Sequence, residues 1–286
     1  MKLLRYGPAG QEKPGIEQDG QRYDVAAFGE DYNEAFFERD GLSRLAAFVR
    51  AQADALPNVS ATERLGPPVA RPSQIVCIGL NYSDHAREVG LPLPAEPVIF
   101  LKATTALVGP NDDIVLPRTS EKTDWEVELA VVIGRRASYV PEAEAAACIA
   151  GYTLHHDVSE RSFQLERGGT WTKGKGCDTF APLGPYLVTP DELPNPNNLR
   201  LWLKVNGELK QDGNTANLVF RVPFLIAYVS QFMTLLPGDI ISTGTPAGVG
   251  MGGKPPQYLR AGDVVELGIE GLGTARQQVR AYPAHS

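Results

Sequence analysis

The chain has 286 residues, 43% of them apolar, which is enough to bury a full core and excludes disorder as the default state. Its formal net charge is −7 and its 27 Lys and Arg residues are scattered, so a polyanion is repelled overall and nucleic acid is not an expected partner. Cys77, Cys148 and Cys177 are odd in number and lack CxxC spacing, which argues against a disulfide framework and a thiolate zinc site and fits a reducing cytoplasm.

The opening MKLLRYGPAG carries a basic residue but no apolar run, because Arg5, Gly7 and Pro8 interrupt it. A short strand over KLLRY is expected there, not a secretory signal. Further on, GLSRLAAFVRAQADAL puts Leu42, Leu45, Ala46, Val49 and Ala53 on one helical stripe, and residues 1–65 read as a small N-terminal subdomain. Residues 66–74 read as a linker, since Pro67, Pro68 and Pro72 fix backbone angles and remove hydrogen-bond donors. From 75 to 286, short apolar runs such as IVCIGL, PVIFLK, DDIVLP, EVELAVVIG and NLRLWLKVNG alternate with Pro and Gly. Helical windows are few, mainly 141–150 and 222–235, so this larger domain is predicted to be α+β and strand-rich. PFLIAYVSQFMTLLPG is shorter than the ~18 apolar residues of a membrane span and carries Ser230 and Gln231, so it reads as a buried helix and no membrane partner is expected.

Chemistry concentrates in a few places. In DWEVELAVVIG, strand alternation sends Glu126, Glu128, Ala130 and Val132 to one face. That face is either the solvent side of an amphipathic strand or the rim of a partly buried site, where two close carboxylates need a cation; Ala130 and Val132 favour the rim. Asp157, ending the strand-like GYTLHHD, can supply a third oxygen ligand, and an all-carboxylate set suits Mg2+ or Mn2+, or Ca2+ in a larger cavity, better than Zn2+. In NYSDHAREVG, a short helix capped by Ser83 or Asp84 and ended by Gly90 places His85 and Glu88 on one face, as a general base and its orienting carboxylate or as a routine surface pair. His155 and His156 are adjacent on a strand, point to opposite faces and cannot both ligate one metal simply. Two glycine-rich stretches fail as phosphate cradles. Gly169, Gly174 and Lys175 begin a P-loop, but Gly176 stands where Ser or Thr is required; Gly248, Gly250 and Gly253 fit GxGxxG, but Lys254, Pro255 and Pro256 leave no helix to follow.

Across residues 75 to 280, the runs GLNYSDHAREVG, PVIFLKATTALVGP, DWEVELAVVIG, AGYTLHHDVSERSFQ, KGKGCDTFAPLGP, VNGELKQDGNT and LLPGDIISTGTPAGVG, in this order, resemble the fumarylacetoacetate hydrolase family. The resemblance implies a mixed β-sandwich roll, a homodimer, a 2-oxo acid substrate and one Mg2+ or Mn2+ held by Glu126, Glu128 and Asp157. It further implies that the segment around His85 and Glu88 is a lid whose pair activates water, and that Lys175, Gln164 and the Thr245 region contact substrate oxygens. Where relatives of this kind read Ser-Phe-Asp after the glycine-lysine pair, this chain has Gly176, Cys177 and Asp178. The N-terminal KLLRYGPAGQEKPGI, with the chain length, resembles bacterial hydrolases of 2,4-dioxo-3-deoxy sugar acids of the rhamnonate and fuconate type, which yield pyruvate and lactate. A hydroxylated tail of that kind would call on Arg87, Asn111 and Gln164. Within the family the alternatives are an oxaloacetate-type decarboxylase, a dienedioate isomerase or a ureidoglycolate lyase; outside it, a non-catalytic ligand-binding protein.

Overall fold

The computed structural model describes residues 1–52, 55–88 and 90–283; Ala53, the last member of the predicted helical stripe, lies outside them. Its centre is the strand Val127–Ile133, seven residues without Gly or Pro and rich in β-branched side chains, all of them buried. This strand pairs antiparallel with Ile149–His156 on one side and with Ile240–Ser242 on the other. Ile240–Ser242 in turn runs parallel to Ile75–Gly79, and Val98–Lys102 closes that edge. Toward the other edge the same sheet continues through Leu187–Val188 to the N-terminal strands Lys2–Tyr6, Lys13–Gln18, Gln21–Asp24 and Asn58–Val59. Residues 65 to 70 are buried beside them, with Leu65–Gly66 paired to Lys2–Tyr6.

A second, five-stranded sheet is built from Glu208–Asn214, Arg200–Val205, Val264–Ile269, Gly273–Arg280 and Ile114–Val115. It packs against the central strand of the first, and two glutamines stitch the layers together. Gln211 accepts from the Val127 N–H at 2.9 Å, and Gln277 Oε1 lies 3.0 Å from His156 Nδ1. The fold is thus the expected α+β arrangement of mixed sheets with few helices.

Two helical expectations are shortened. The 222–235 window forms a helix only over Val222–Val229, after which the chain turns to bring Leu235 into an antiparallel bridge with Ala137. The 141–150 window gives the single turn Glu142–Ala145 and a 3-10 turn Ala146–Cys148, because Ile149 already opens the strand that pairs with the centre of the sheet. Sheet pairing there overrides a weak helical preference.

Candidate active site

Glu126, immediately before the central strand, Glu128, within it, and Asp157, just past Ile149–His156, bring carboxylate oxygens within 4.8 Å of one another. The register explains the convergence: Val127 sits opposite His156 and Glu128 opposite His155, so the residues flanking these pairs meet at the same end of the ladder. All three carboxylates are buried, not set at a half-exposed rim. Alternation predicts a solvent side only for a strand with one open face, and this strand is covered on both.

Burial of so many charges demands compensation, and the chain supplies it unevenly. Lys102 Nζ donates to Asp157 Oδ1 at 2.5 Å and to the Val158 carbonyl at 3.1 Å. Lys175 Nζ bridges Glu126 Oε2 at 2.6 Å and Asp157 Oδ2 at 2.7 Å. Arg161 donates to Asp124 at 2.8 Å, to Glu126 Oε1 at 2.6 Å and to the Gln164 side-chain carbonyl at 3.0 Å. Burial works against the charge of Asp157, but Lys102 and Lys175 outweigh it and hold the carboxyl below its ordinary range. Burial likewise works against the Lys175 ammonium, and Asp157 and Glu126 reverse it, raising its pKa.

Glu128 stands apart. Its hydrogen-bond partners are neutral, the Ser242 hydroxyl and the Gly244 N–H at 3.1 Å. Burial, followed by the charges of Asp157 and Glu126, pushes its carboxyl well above the ordinary range. Ser242 also reaches His155 Nδ1 at 2.6 Å, so a Glu128–Ser242–His155 chain runs behind the cluster. His155 and His156 are both buried and point opposite ways, as strand geometry requires; burial pushes them down to about 3 and about 4. Oxygen-only donors around an under-compensated carboxylate fit a hard divalent cation, so the residues present suit Mg2+ or Mn2+.

Helix Ser83–Glu88 brings the second expected group to the same place. His85 is buried, its Nδ1 lies 3.1 Å from Glu88 Oε2, and Glu88 Oε1 accepts from the Gly248 N–H at 2.9 Å. A cavity of about 250 Å³ is lined by His85, Glu126, Glu128, Lys175, Gln164 and Thr245, among others, and that volume suits a small acid rather than a drug-sized ligand. Thr245 lends shape more than donors, since its hydroxyl donates to the Val127 carbonyl at 2.9 Å and accepts from Gln211 at 2.8 Å.

Arg87 and Asn111 are not brought to this cavity. Two residues beyond His85 on a 3.6-residue helix, Arg87 faces away and is exposed. Asn111 is exposed and accepts from the Arg276 N–H at 2.9 Å on the smaller sheet. Sequence reasoning in turn missed Lys102, Asp124, Arg161 and Ser242. Asp124 explains the glycine loop: the N–H groups of Gly250 and Met251 donate to its carboxylate at 2.6 and 3.0 Å. A Cβ on Gly250 would lie 2.1 Å from the Gln257 carbonyl and 2.7 Å from Asp124, so only glycine fits; the loop grips the chain's own carboxylate.

A protein of Burkholderia multivorans described as a hydrolase and no further is 56% identical over 283 residues, 98% of this chain and 99% of the relative. The solved maleylpyruvate hydrolase of Sphingobium sp. SYK-6, in complex with manganese(II) and pyruvate, is 29% identical with a TM-score of 0.83, covering 99% of this chain and 100% of that one. The 2-hydroxyhepta-2,4-diene-1,7-dioate isomerase of Mycobacterium marinum is 34% identical with a TM-score of 0.75 at the same coverage. Residues 74–280 match the family model described as fumarylacetoacetate (FAA) hydrolase C-terminal. Since that match takes in every strand from Ile75–Gly79 through Gly273–Arg280, and with them both the carboxylate cluster and the His85 helix, the chain belongs to the fumarylacetoacetate hydrolase family.

Proposed function

We propose that the chain is a hydrolase, dependent on a divalent metal, that cleaves the carbon–carbon bond of a 2,4-dioxo acid and releases pyruvate. The observation that carries this reading is one cavity lined both by His85, which Glu88 orients from behind, and by Glu126 and Glu128 of the buried carboxylate cluster, which separates a base for water from a cation site. Glu126, Glu128 and Asp157 would hold Mg2+ or Mn2+; Mn2+ is the ion in the Sphingobium complex. A cation held there polarises a 2-oxo carbonyl and stabilises negative charge developing on its oxygen.

The chain's own residues do the rest. Glu88 takes up Nδ1 of His85, leaving Nε2 to accept a proton from water, and the Glu88 charge stabilises the imidazolium. Water's oxygen then bonds to carbon 4. The bond between carbons 3 and 4 breaks with its electron pair moving to carbon 3, where the imidazolium returns the proton. Pyruvate and the acid derived from carbon 4 are the products. Lys175 and Gln164, lining the same cavity, are assigned to substrate oxygens.

Two readings of the substrate's tail compete. The N-terminal resemblance favours a 3-deoxy-2,4-dioxo sugar acid of the rhamnonate or fuconate type, giving pyruvate and L-lactate; the apolar lining of the cavity mouth favours a hydrocarbon. A homodimer is inferred from the resemblance, and particle mass in solution tests it. A second reaction, isomerisation of an unsaturated diacid, is favoured by likeness to the Mycobacterium marinum isomerase; His85 would then move a proton between carbons without water. Parallel turnover of 2,4-dioxo acids, oxaloacetate and an unsaturated dioate decides. The highest kcat/KM is expected for the 2,4-dioxo acids, and a preference for oxaloacetate would move the chain to decarboxylation.

A further inference from the structure

Away from the carboxylates the cavity wall changes character. It is made of Leu80, Leu91, Phe100, Leu165, Trp171 and Met251. Phe100 joins the two ends: Lys175 Nζ lies 5.0 Å from its ring centroid, and the Trp171 ring packs against it at 5.3 Å, tilted by 57°. Trp171 is seated on bare backbone, since a Cβ on Gly79 would come within 2.5 Å of the indole; any side chain there would drive the ring out of place. At the mouth, Leu91 is 50% and Leu165 47% exposed, apolar surface that a ligand would take out of water.

Most of the polar donors of the wall are already engaged within the site. Arg161 gives three of its five N–H groups to Asp124, Glu126 and Gln164, Lys175 gives two of its three to Glu126 and Asp157, and the Thr245 hydroxyl both donates and accepts. Gln164 gives its carbonyl to Arg161, so its amide N–H groups are what it has left to offer. A tail bearing several hydroxyls would therefore leave water with too few partners, and each unpaired hydroxyl costs affinity. A hydrocarbon tail loses nothing of that kind.

We propose that this wall is a tail slot that selects 2-oxo acids whose distal part is alkyl, alkenyl or aryl, with Trp171 and Leu91 as its specificity-determining residues. The proposal rests on the reading of the carboxylate end as the site for the 2-oxo acid head. The test is calorimetric titration, in the presence of Mn2+, with 2-oxobutanoate, 2-oxopentanoate, 2-oxohexanoate and their tail-hydroxylated counterparts, alongside turnover of the 2,4-dioxo acids bearing the same tails. Affinity should rise about fourfold for each added methylene and fall on hydroxylation. Trp171→Ala should flatten the dependence on tail length, and Leu91→Ser, at a half-exposed position that folding tolerates, should weaken the longest tail most. A gradient in binding without cleavage of any 2,4-dioxo acid would refute the proposed reaction and leave the slot standing. Tighter binding or faster turnover of hydroxylated tails, or no dependence on tail length at all, overturns the slot.

Discussion

The carboxylate cluster and the His85 helix face one cavity but are held in opposite ways. Glu126 and Asp157 are fixed by Arg161, Lys102 and Lys175, at the ends of two neighbouring strands locked in the middle of the sheet. His85 stands on a six-residue helix and is oriented by Glu88, whose own anchor is a single backbone N–H. The contrast suggests a division of labour. Groups that keep a constant charge are immobilised by other charges, while the group that must gain and lose a proton is aimed by one carboxylate and left otherwise uncommitted. A second contrast lies inside the cluster, where Glu128 is held by neutral donors and has no ion pair among the described residues.

The largest effects should come from the carboxylate side. A strong chelator is expected to abolish turnover, with Mg2+ or Mn2+ restoring it, and Glu126→Ala should lose cation binding because two carboxylates are too few. Undiminished activity in excess chelator would break the comparison at its root. Stability is touched next: Lys102→Met removes one of two cations paired with a fully buried Asp157, and the metal-free protein should lose about 3 kcal/mol in urea unfolding. A loss under about 1 kcal/mol would mean that Lys175 alone compensates Asp157.

The helix side predicts a different signature. His85→Gln should lower kcat by ~10²-fold or more while leaving cation affinity and binding of oxalate nearly unchanged. Glu88→Gln should act in the same direction, because an amide cannot stabilise the imidazolium, and the double variant should be little worse than either single one. Weakened oxalate and cation binding with kcat intact would make the pair a binding feature and send the search for a base elsewhere.

The parts of the site that chain order or alternation exposes were legible in the sequence. Glu126 and Glu128 follow from period-two geometry, and His85 with Glu88 from helical spacing; the structure brings Glu126, Glu128 and His85 to one cavity, with Glu88 hydrogen-bonded to His85. The compensating cations were not legible, because the value of a buried charge lies in its partners and those come from distant strands. Lys102 is the exception that could have been found: it alternates in phase with Phe100 in VIFLK, and both are buried. Arg161 and Asp124 are 37 residues apart, and nothing local in SERSFQ or TDWEV announces their ion pair. Arg87 misled for the reverse reason, since chemical type was weighed there without the 3.6-residue period that turns it outward.

The smallest expected effect separates the cluster's own members, through the pH dependence of stability in the metal-free protein. His155 and His156, with pKa values pushed down to about 3 and about 4, stay neutral in the folded chain while the unfolded chain takes up protons below about 6.5. Each therefore weakens folding by about tenfold in the equilibrium per pH unit as pH falls from about 6.5 toward those values, and has no effect above that window. Glu128 has the opposite sign. Its raised pKa means that the folded chain keeps a proton which the unfolded chain releases above about 4.5, so stability rises as pH falls toward that point. Asp157, held below its ordinary range, contributes only below about 4, outside the window. Between about pH 4.5 and 6.5 Glu128 thus opposes the two histidines and makes the net slope shallower than theirs alone. Glu128→Gln removes the opposing member and should steepen the slope toward that of the histidines, measured as urea midpoints across that range. An unchanged slope would mean that Glu128 is ionised in the metal-free fold, and the contrast between a charge-paired Glu126 and Asp157 and a proton-holding Glu128 would have to be given up.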